Sequence, residues 1–228
     1  MKKLYSKLSA LGAVLVIATA FASADTVTLA SFGSTGATPS GVNNTALKFT
    51  ADSTGVPIGT GATSDLNPGG VWTNPVTTFA NSLWVSYNAG TAPGGAVIAP
   101  NGTYTYTSTF SDTLGASYSG TFEVMADDTV DVFLNGVKFI TDSVGSPNDN
   151  KCESTVPNCT TVDSVAWSFT GTGSETLTFV VDQVGLSATG VDFDAKVVSS
   201  VVPEPNTLLL LGTGLVSAAG ALSRRRRA

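Results

Sequence analysis

Residues 129–141 read TVDVFLNGVKFIT. Asn135-Gly136 is the favoured dipeptide for a two-residue type I′ hairpin turn, which needs positive φ at both central positions. That turn sets a register in which Leu134 faces Val137, Val132 faces Phe139 and Val130 faces Thr141. This face is apolar and belongs to a core. The other face pairs Phe133 with Lys138 and Asp131 with Ile140. Phe133 and Ile140 are there either covered by a loop, the reading we favour, or part of a binding surface.

The same period of two recurs along the chain, and no ten-residue stretch shows an apolar period of 3.6. TYTYTSTF sets Tyr104, Tyr106, Ser108 and Phe110 against Thr103, Thr105, Thr107 and Thr109. SGTFEVMA sets Phe122 and Val124 against Thr121 and Glu123. VAWSF places Val165, Trp167 and Phe169 on one face, and TLTFVV does the same with Leu177, Phe179 and Val181. GVDFDAKVV is expected to turn Val191, Phe193, Ala195 and Val197 inward, with Asp192, Asp194 and Lys196 outward. Residues 25–80 are turn-rich and read as long loops and outer strands of the same domain. Many short strands punctuated by Gly, Pro and Asn predict an all-β fold, a single antiparallel sandwich.

Both ends stand apart from this pattern. Lys2, Lys3 and Lys7 precede an apolar run from Leu8 to Phe21, and Ala22-Ser23-Ala24 is a small-x-small cleavage site. Residues 1–24 therefore read as a helical signal peptide, cut between Ala24 and Asp25. At the other end Thr207 to Leu222 carries no charge and leads to Arg224, Arg225, Arg226 and Arg227, the only arginines in the chain. As a helix this run spans about 24 Å, at the short end of what a bilayer core needs. The arginines behind it hold that end cytoplasmic, so the upstream domain faces outward.

Between the ends, residues 25–202 keep four lysines against sixteen acids, a formal charge of −12, with no arginine and no histidine. That excludes nucleic acid or anionic lipid as partner, since both need clustered cations. It also excludes Ser-His-Asp, Cys-His and histidine-metal chemistry. The acids permit Ca²⁺ through oxygen ligands, but no cofactor or metal site is required. Cys152 and Cys159, the only cysteines, are expected to form a disulfide in an oxidising compartment. Asp149 and Glu153 in the same loop are a weaker Ca²⁺ candidate.

Asp127, Asp128 and Asp131 form the densest carboxylate cluster and could bind Ca²⁺ or sugar hydroxyls. The favoured reading is structural, with Asp127-Asp128 as a strand-entry turn and Asp131 as a solvated strand position. Among the tryptophans, Trp167 belongs to the core, while Trp84 is a candidate platform for a sugar ring. A paired-carboxylate glycosidase has no cleft signature to support it, so no enzyme is expected.

Two resemblances follow. Val202-Pro203-Glu204-Pro205, an apolar span with Gly212 and Gly214, and the arginine cluster resemble the PEP-CTERM sorting signal of Gram-negative bacteria. The resemblance implies recognition by an inner-membrane exosortase, cleavage near Pro203-Glu204-Pro205, and delivery to the cell surface or an exopolysaccharide matrix. Over roughly residues 80–198, the strand beginning at Asn101, the LNG hairpin and the TLTFVV strand with its Gly-rich turn are similar to galactose-binding-like jelly rolls. The expected layout is then a signal peptide at 1–24, a jelly-roll ectodomain at 25–199 and a sorting signal at 200–228, with a transmembrane helix at 207–223. The expected role is structural or adhesive, a carbohydrate-binding module being the alternative.

Overall fold

The computed structural model describes residues 24–31, 43–56, 63–66, 72, 74, 76–141, 159, 162–200, 212–215, 217 and 218. The strands are β1 (Thr26–Ala30), β2 (Asn43–Asn44), β3 (Lys48–Asp52), β4 (Thr63–Leu66), β5 (Trp84–Ser86), β6 (Gly102–Ser111), β7 (Ser117–Asp127), β8 (Thr129–Leu134), β9 (Val137–Ile140), β10 (Asp163–Thr170), β11 (Ser174–Gln183) and β12 (Gly190–Ser199). All pair antiparallel. One sheet has the order β10-β7-β12-β5-β4-β2, with β1 also on β12; the other has the order β3-β6-β11-β8-β9. The fold is an all-β sandwich of two antiparallel sheets within the compact unit Asp25–Ser199.

The alternation read in the sequence fills the space between the sheets. Tyr104, Tyr106 and Phe110 from β6 and Leu177, Phe179 and Val181 from β11 meet Phe122 and Val124 from β7 and Val191, Phe193, Ala195 and Val197 from β12. Phe122 is the hub: its ring stacks on Phe193 at 5.6 Å and meets Phe139 and Trp167 edge-on at 5.2 and 5.3 Å. At Gly120 the strands β7 and β12 approach so closely that a Cβ would lie 1.9 Å from the Lys196 carbonyl oxygen. Only glycine fits there.

The β8–β9 hairpin has the expected turn, with φ of 49° at Asn135 and 80° at Gly136. Leu134 faces Val137 and Phe133 faces Lys138, but the register then shifts and Val132 faces Ile140 instead of Phe139. The extra residue of this bulge corrects the expected outward face of Ile140. Phe139 packs against the core while the adjacent Ile140 is buried too, not turned to the outer face. Val137, expected inside, is 71% exposed at the tip. Val130 and Val132 are buried as read. Gly136→Val puts a β-branched residue at positive φ and is expected to cost well over about 1 kcal/mol. A lowered urea midpoint at unchanged slope checks this.

A further correction concerns β12. Lys196 is exposed, but Asp192 and Asp194 are fully buried. They lie on the outer face of their sheet, and the chain at 76–83 crosses over them. The expected signal-peptide helix lies outside the described residues. Of the expected helix at 207–223 only 212–215, 217 and 218 are described, and these are helical. No helix among the described residues is long and apolar enough to cross a membrane.

Candidate functional site

The candidate ligand residues are placed by the strand period. Val191 and Val124 point into the sandwich, so Asp192 and its cross-strand partner Met125 point out. Trp84 alternates with the inward Val85 and joins them on the outer face. There Trp72, Val76, Trp84, Met125 and Cys159 form a second apolar cluster. Trp84 is buried completely, with Trp72 stacked on it at 4.3 Å. Its indole is a structural plate, which corrects its reading as a sugar platform.

Asp127 and Asp128 are buried at the β7–β8 junction. The Trp72 indole N–H donates to Asp127 Oδ2 at 2.6 Å, and the Val184 N–H donates to Asp128 Oδ2 at 2.7 Å. Burial raises the Asp127 carboxyl to about 6, against opposing hydrogen bonds from Asp128 and Trp72. These carboxylates bind the protein's own donors, not solvent. Asp131 pairs with the Lys138 ammonium at 2.5 Å, and the same ammonium lies 5.3 Å from the centre of the Phe133 ring. The structure therefore separates Asp131 from the two buried acids. Among the described residues no group of three or more His, Cys, Asp or Glu could hold a metal. Asp149, Cys152 and Glu153 lie outside the described residues; Cys159 is not a free thiol.

Residues the sequence reading missed hold the crossing segment down. Asp192 Oδ2 accepts from the Val76 N–H at 2.7 Å, and Asp194 Oδ2 accepts from the Phe79 and Ala80 N–H groups at 2.8 and 3.3 Å. Ser82 Oγ donates to the Val76 carbonyl. Ser31 Oγ, at the end of β1, lies 2.8 Å from Leu83 O and 2.8 Å from Asp192 Oδ1, and it accepts from the Phe193 N–H at 2.9 Å. A hydroxyl has one proton to give. Leu83 O can only accept, so all of these contacts are satisfied when Asp192 is a neutral acid that donates to Ser31. Burial raises the Asp192 carboxyl to about 6, with its contacts to Ser82, Val76 and Ser31 opposing and the Asp194 charge adding to the rise.

Two depressions among the described residues bear on ligand binding. One, of about 280 Å³, lies between the β8–β9 tip and β10, with Val137, Phe139, Trp167 and Phe169 in its lining. Its aromatic rings are mostly turned into the core. Its amide, Asn135, already bridges Glu175 and the Thr176 N–H. It therefore offers few of the convergent polar groups that orient a sugar. The other, of about 440 Å³, lies beside β1, β3 and β6 and is lined by alanines, hydroxyls, Leu29 and Lys48.

At one corner the two ends of the sandwich meet. Thr26 pairs with Val198, so Asp25 lies beside Ser199. The Asp25 N–H donates to Ser199 Oγ at 2.7 Å, and the Ser199 N–H returns a bond to the Asp25 carbonyl at 2.8 Å. The Tyr118 hydroxyl donates to Asp25 Oδ2 at 2.6 Å.

Among curated proteins none matches the chain in sequence. Solved structures similar to it include a CBM35 from Paenibacillus barcinonensis, at 12% identity, covering 75% of this chain and 97% of that one, with a TM-score of 0.33. A family 35 carbohydrate-binding module from Clostridium thermocellum is 14% identical, covering 55% and 82%, with a TM-score of 0.30. A β-glucosidase from Kluyveromyces marxianus is 12% identical over 80% of this chain and 22% of its own, with a TM-score of 0.30. Residues 201–227, which follow one residue after β12, match the PEP-CTERM protein-sorting motif, and the chain thus ends in a sorting signal of that kind.

Proposed function

We propose that this is an exported protein, sorted through its C-terminal signal to the surface or extracellular matrix of a Gram-negative bacterium, where the sandwich has a non-catalytic structural or adhesive role alongside exopolysaccharide. The observation that carries the reading is the PEP-CTERM motif at 201–227, placed directly behind a compact domain. In this reading residues 1–24 are a helical signal peptide, 25–199 the exported domain, and 207–223 a transmembrane helix that holds the precursor in the inner membrane. An exosortase cuts near Pro203-Glu204-Pro205, and Arg224 to Arg227 stay on the cytoplasmic side. Cys152 is the disulfide partner of Cys159, closing a short loop that stabilises by roughly 2.5 kcal/mol.

A structural role is further supported by the use the fold makes of its acids and aromatics. Trp84, Asp127 and Asp128 are consumed within the protein, and Asp131 is neutralised by Lys138. Intact-mass measurement of the protein recovered from the surface of a host with an exosortase tests the processing. The expected species begins at Asp25 and ends near Pro203. A main species that still carries Arg224 to Arg227 would overturn the cleavage and leave a simple membrane anchor.

A further inference from the structure

We infer that the Ala24–Asp25 bond has to be hydrolysed before the first strand docks, so that signal-peptide removal precedes closure of the corner at which both chain ends leave the sandwich. The inference rests on the reading of residues 1–24 as a signal peptide. Its structural basis is the way Asp25 is held. The main-chain N–H and C=O of Asp25 are both bonded to Ser199, 174 residues away. Its carboxylate accepts from the Tyr118 hydroxyl, and from Thr113 Oγ1 at 3.3 Å. Tyr118 is itself fixed: its hydroxyl accepts from the Thr113 N–H at 2.9 Å and its ring stacks on Phe169 at 5.1 Å. From Thr26 onward the chain is in register with β12 through Ala30.

Hydrolysis adds water across the Ala24–Asp25 amide. The new carboxylate leaves on Ala24, and the Asp25 nitrogen becomes an amine that takes up a proton. A peptidase must hold the residues on each side of that bond in extended form, using their main-chain groups. In the closed corner the groups of Asp25 are occupied and the following five residues are a sheet strand. Cleavage of the folded precursor is then limited to the fraction of time the corner is open. After cleavage the corner gains from the new terminus, because the ammonium keeps Ser199 Oγ as an acceptor and places a positive charge beside the Asp25 carboxylate.

The test uses the full-length protein in detergent with a purified bacterial signal peptidase. In one arm the denatured protein is diluted directly into peptidase; in the other it is refolded first. The expected result is a cut after Ala24 in both arms, about tenfold or more slower in the refolded one. A Tyr118→Phe, Ser199→Ala double variant keeps the ring stack and removes the two hydroxyls that hold Asp25, leaving the Ser199 N–H on its carbonyl and the long Thr113 contact. It should be cut as fast as wild type when unfolded and should recover part of the lost rate when refolded, with tryptophan fluorescence confirming that it folds. If the double variant does not fold, Tyr118→Phe alone serves in its place. Equal rates in the two wild-type arms would overturn the inference, as would a folded variant as resistant as wild type. A cut at a different bond in the direct-dilution arm, seen by mass, would instead remove the signal-peptide junction on which the inference rests, and the inference with it.

Discussion

Phe122→Ala is expected to destabilise the sandwich by about 3–5 kcal/mol, the range for deleting a buried aromatic side chain. The ring is fully buried and touches aromatic partners from four other strands: Phe139, Trp167, Phe179 and Phe193. These sit in two facing sheets, so backbone collapse cannot readily fill the space the ring vacates. A domain has a total stability of about 5–15 kcal/mol, so this one change removes a large share of it. Phe133 provides the control. It is half-buried on the outer side of β8 under the Lys138 ammonium, and its truncation should cost roughly 1 kcal/mol or less. Urea unfolding followed by tryptophan fluorescence checks both. Equal costs at the two positions would show that Phe122 is not the hub of the core.

Acidification from pH 7.5 to pH 5 is expected to stabilise the protein. Burial raises the carboxyls of Asp127 and Asp192 to about 6, from 3.8 in the open chain. Between those values the folded state keeps protons that the unfolded chain has released, so stability falls as pH rises through the window. The contribution is fully present below 3.8, is lost as pH passes 6, and changes little above 7. In full, a shift of this size corresponds to on the order of 3 kcal/mol for each group, of which roughly half is gained by pH 5. Asp194, Asp112 and Asp163 are raised by burial in the same direction. At Asp52 and Glu175 burial is outweighed by hydrogen bonds, from Thr54 and from Thr172 respectively among others, and these two oppose the trend. Asp192→Asn gives the sharper test. Its amide N–H can donate to Ser31 Oγ as the neutral acid does, while its oxygen accepts from Val76. The variant should be more stable than wild type at pH 7.5, and its stability should vary less with pH. A urea midpoint that rises with pH in the wild type, or an Asn variant weaker at both pH values, would contradict the neutral-acid assignment.

The positions of these two predictions differ in how far they could be read from the sequence. Phe122 lies in an alternating run whose period alone places it inside, as do Tyr104, Phe179 and Phe193. Asp192 lies in an equally regular run, and there the alternation misleads. An acid out of phase with valine and phenylalanine reads as solvated, and only a segment more than a hundred residues earlier in the chain makes it buried. Ser31 and Ser82 carry no local signal at all, because a serine that serves as a relay looks like any other serine. Trp84 sits in a three-residue strand, too short to show a period. The bulge at Phe139 was invisible for a related reason: two-residue turn chemistry fixes the register next to the turn and not three residues beyond it. The sorting signal was legible because it is a linear code, with Pro-Glu-Pro, apolar span and arginines in fixed order and no dependence on tertiary contacts.

The place of β12 in its sheet has a kinetic consequence. The last strand of the domain is an inner one, with β7 along one edge and β1 and β5 along the other. Among the described strands the earliest, β1, therefore pairs with the latest, and it cannot join the sheet until the chain has emerged as far as β12. Such long-range pairing folds slowly, because loop closure across the whole domain comes before the contacts that reward it. Until residue 199 has been made and exported, β7 presents an open edge and an alternating apolar face to its surroundings. A chain of this topology depends on being kept from aggregating during transit, and a truncation that removes only the ten residues of β12 should leave β1 without its partner and part β10–β7 from β5–β4–β2 instead of merely shortening the sheet.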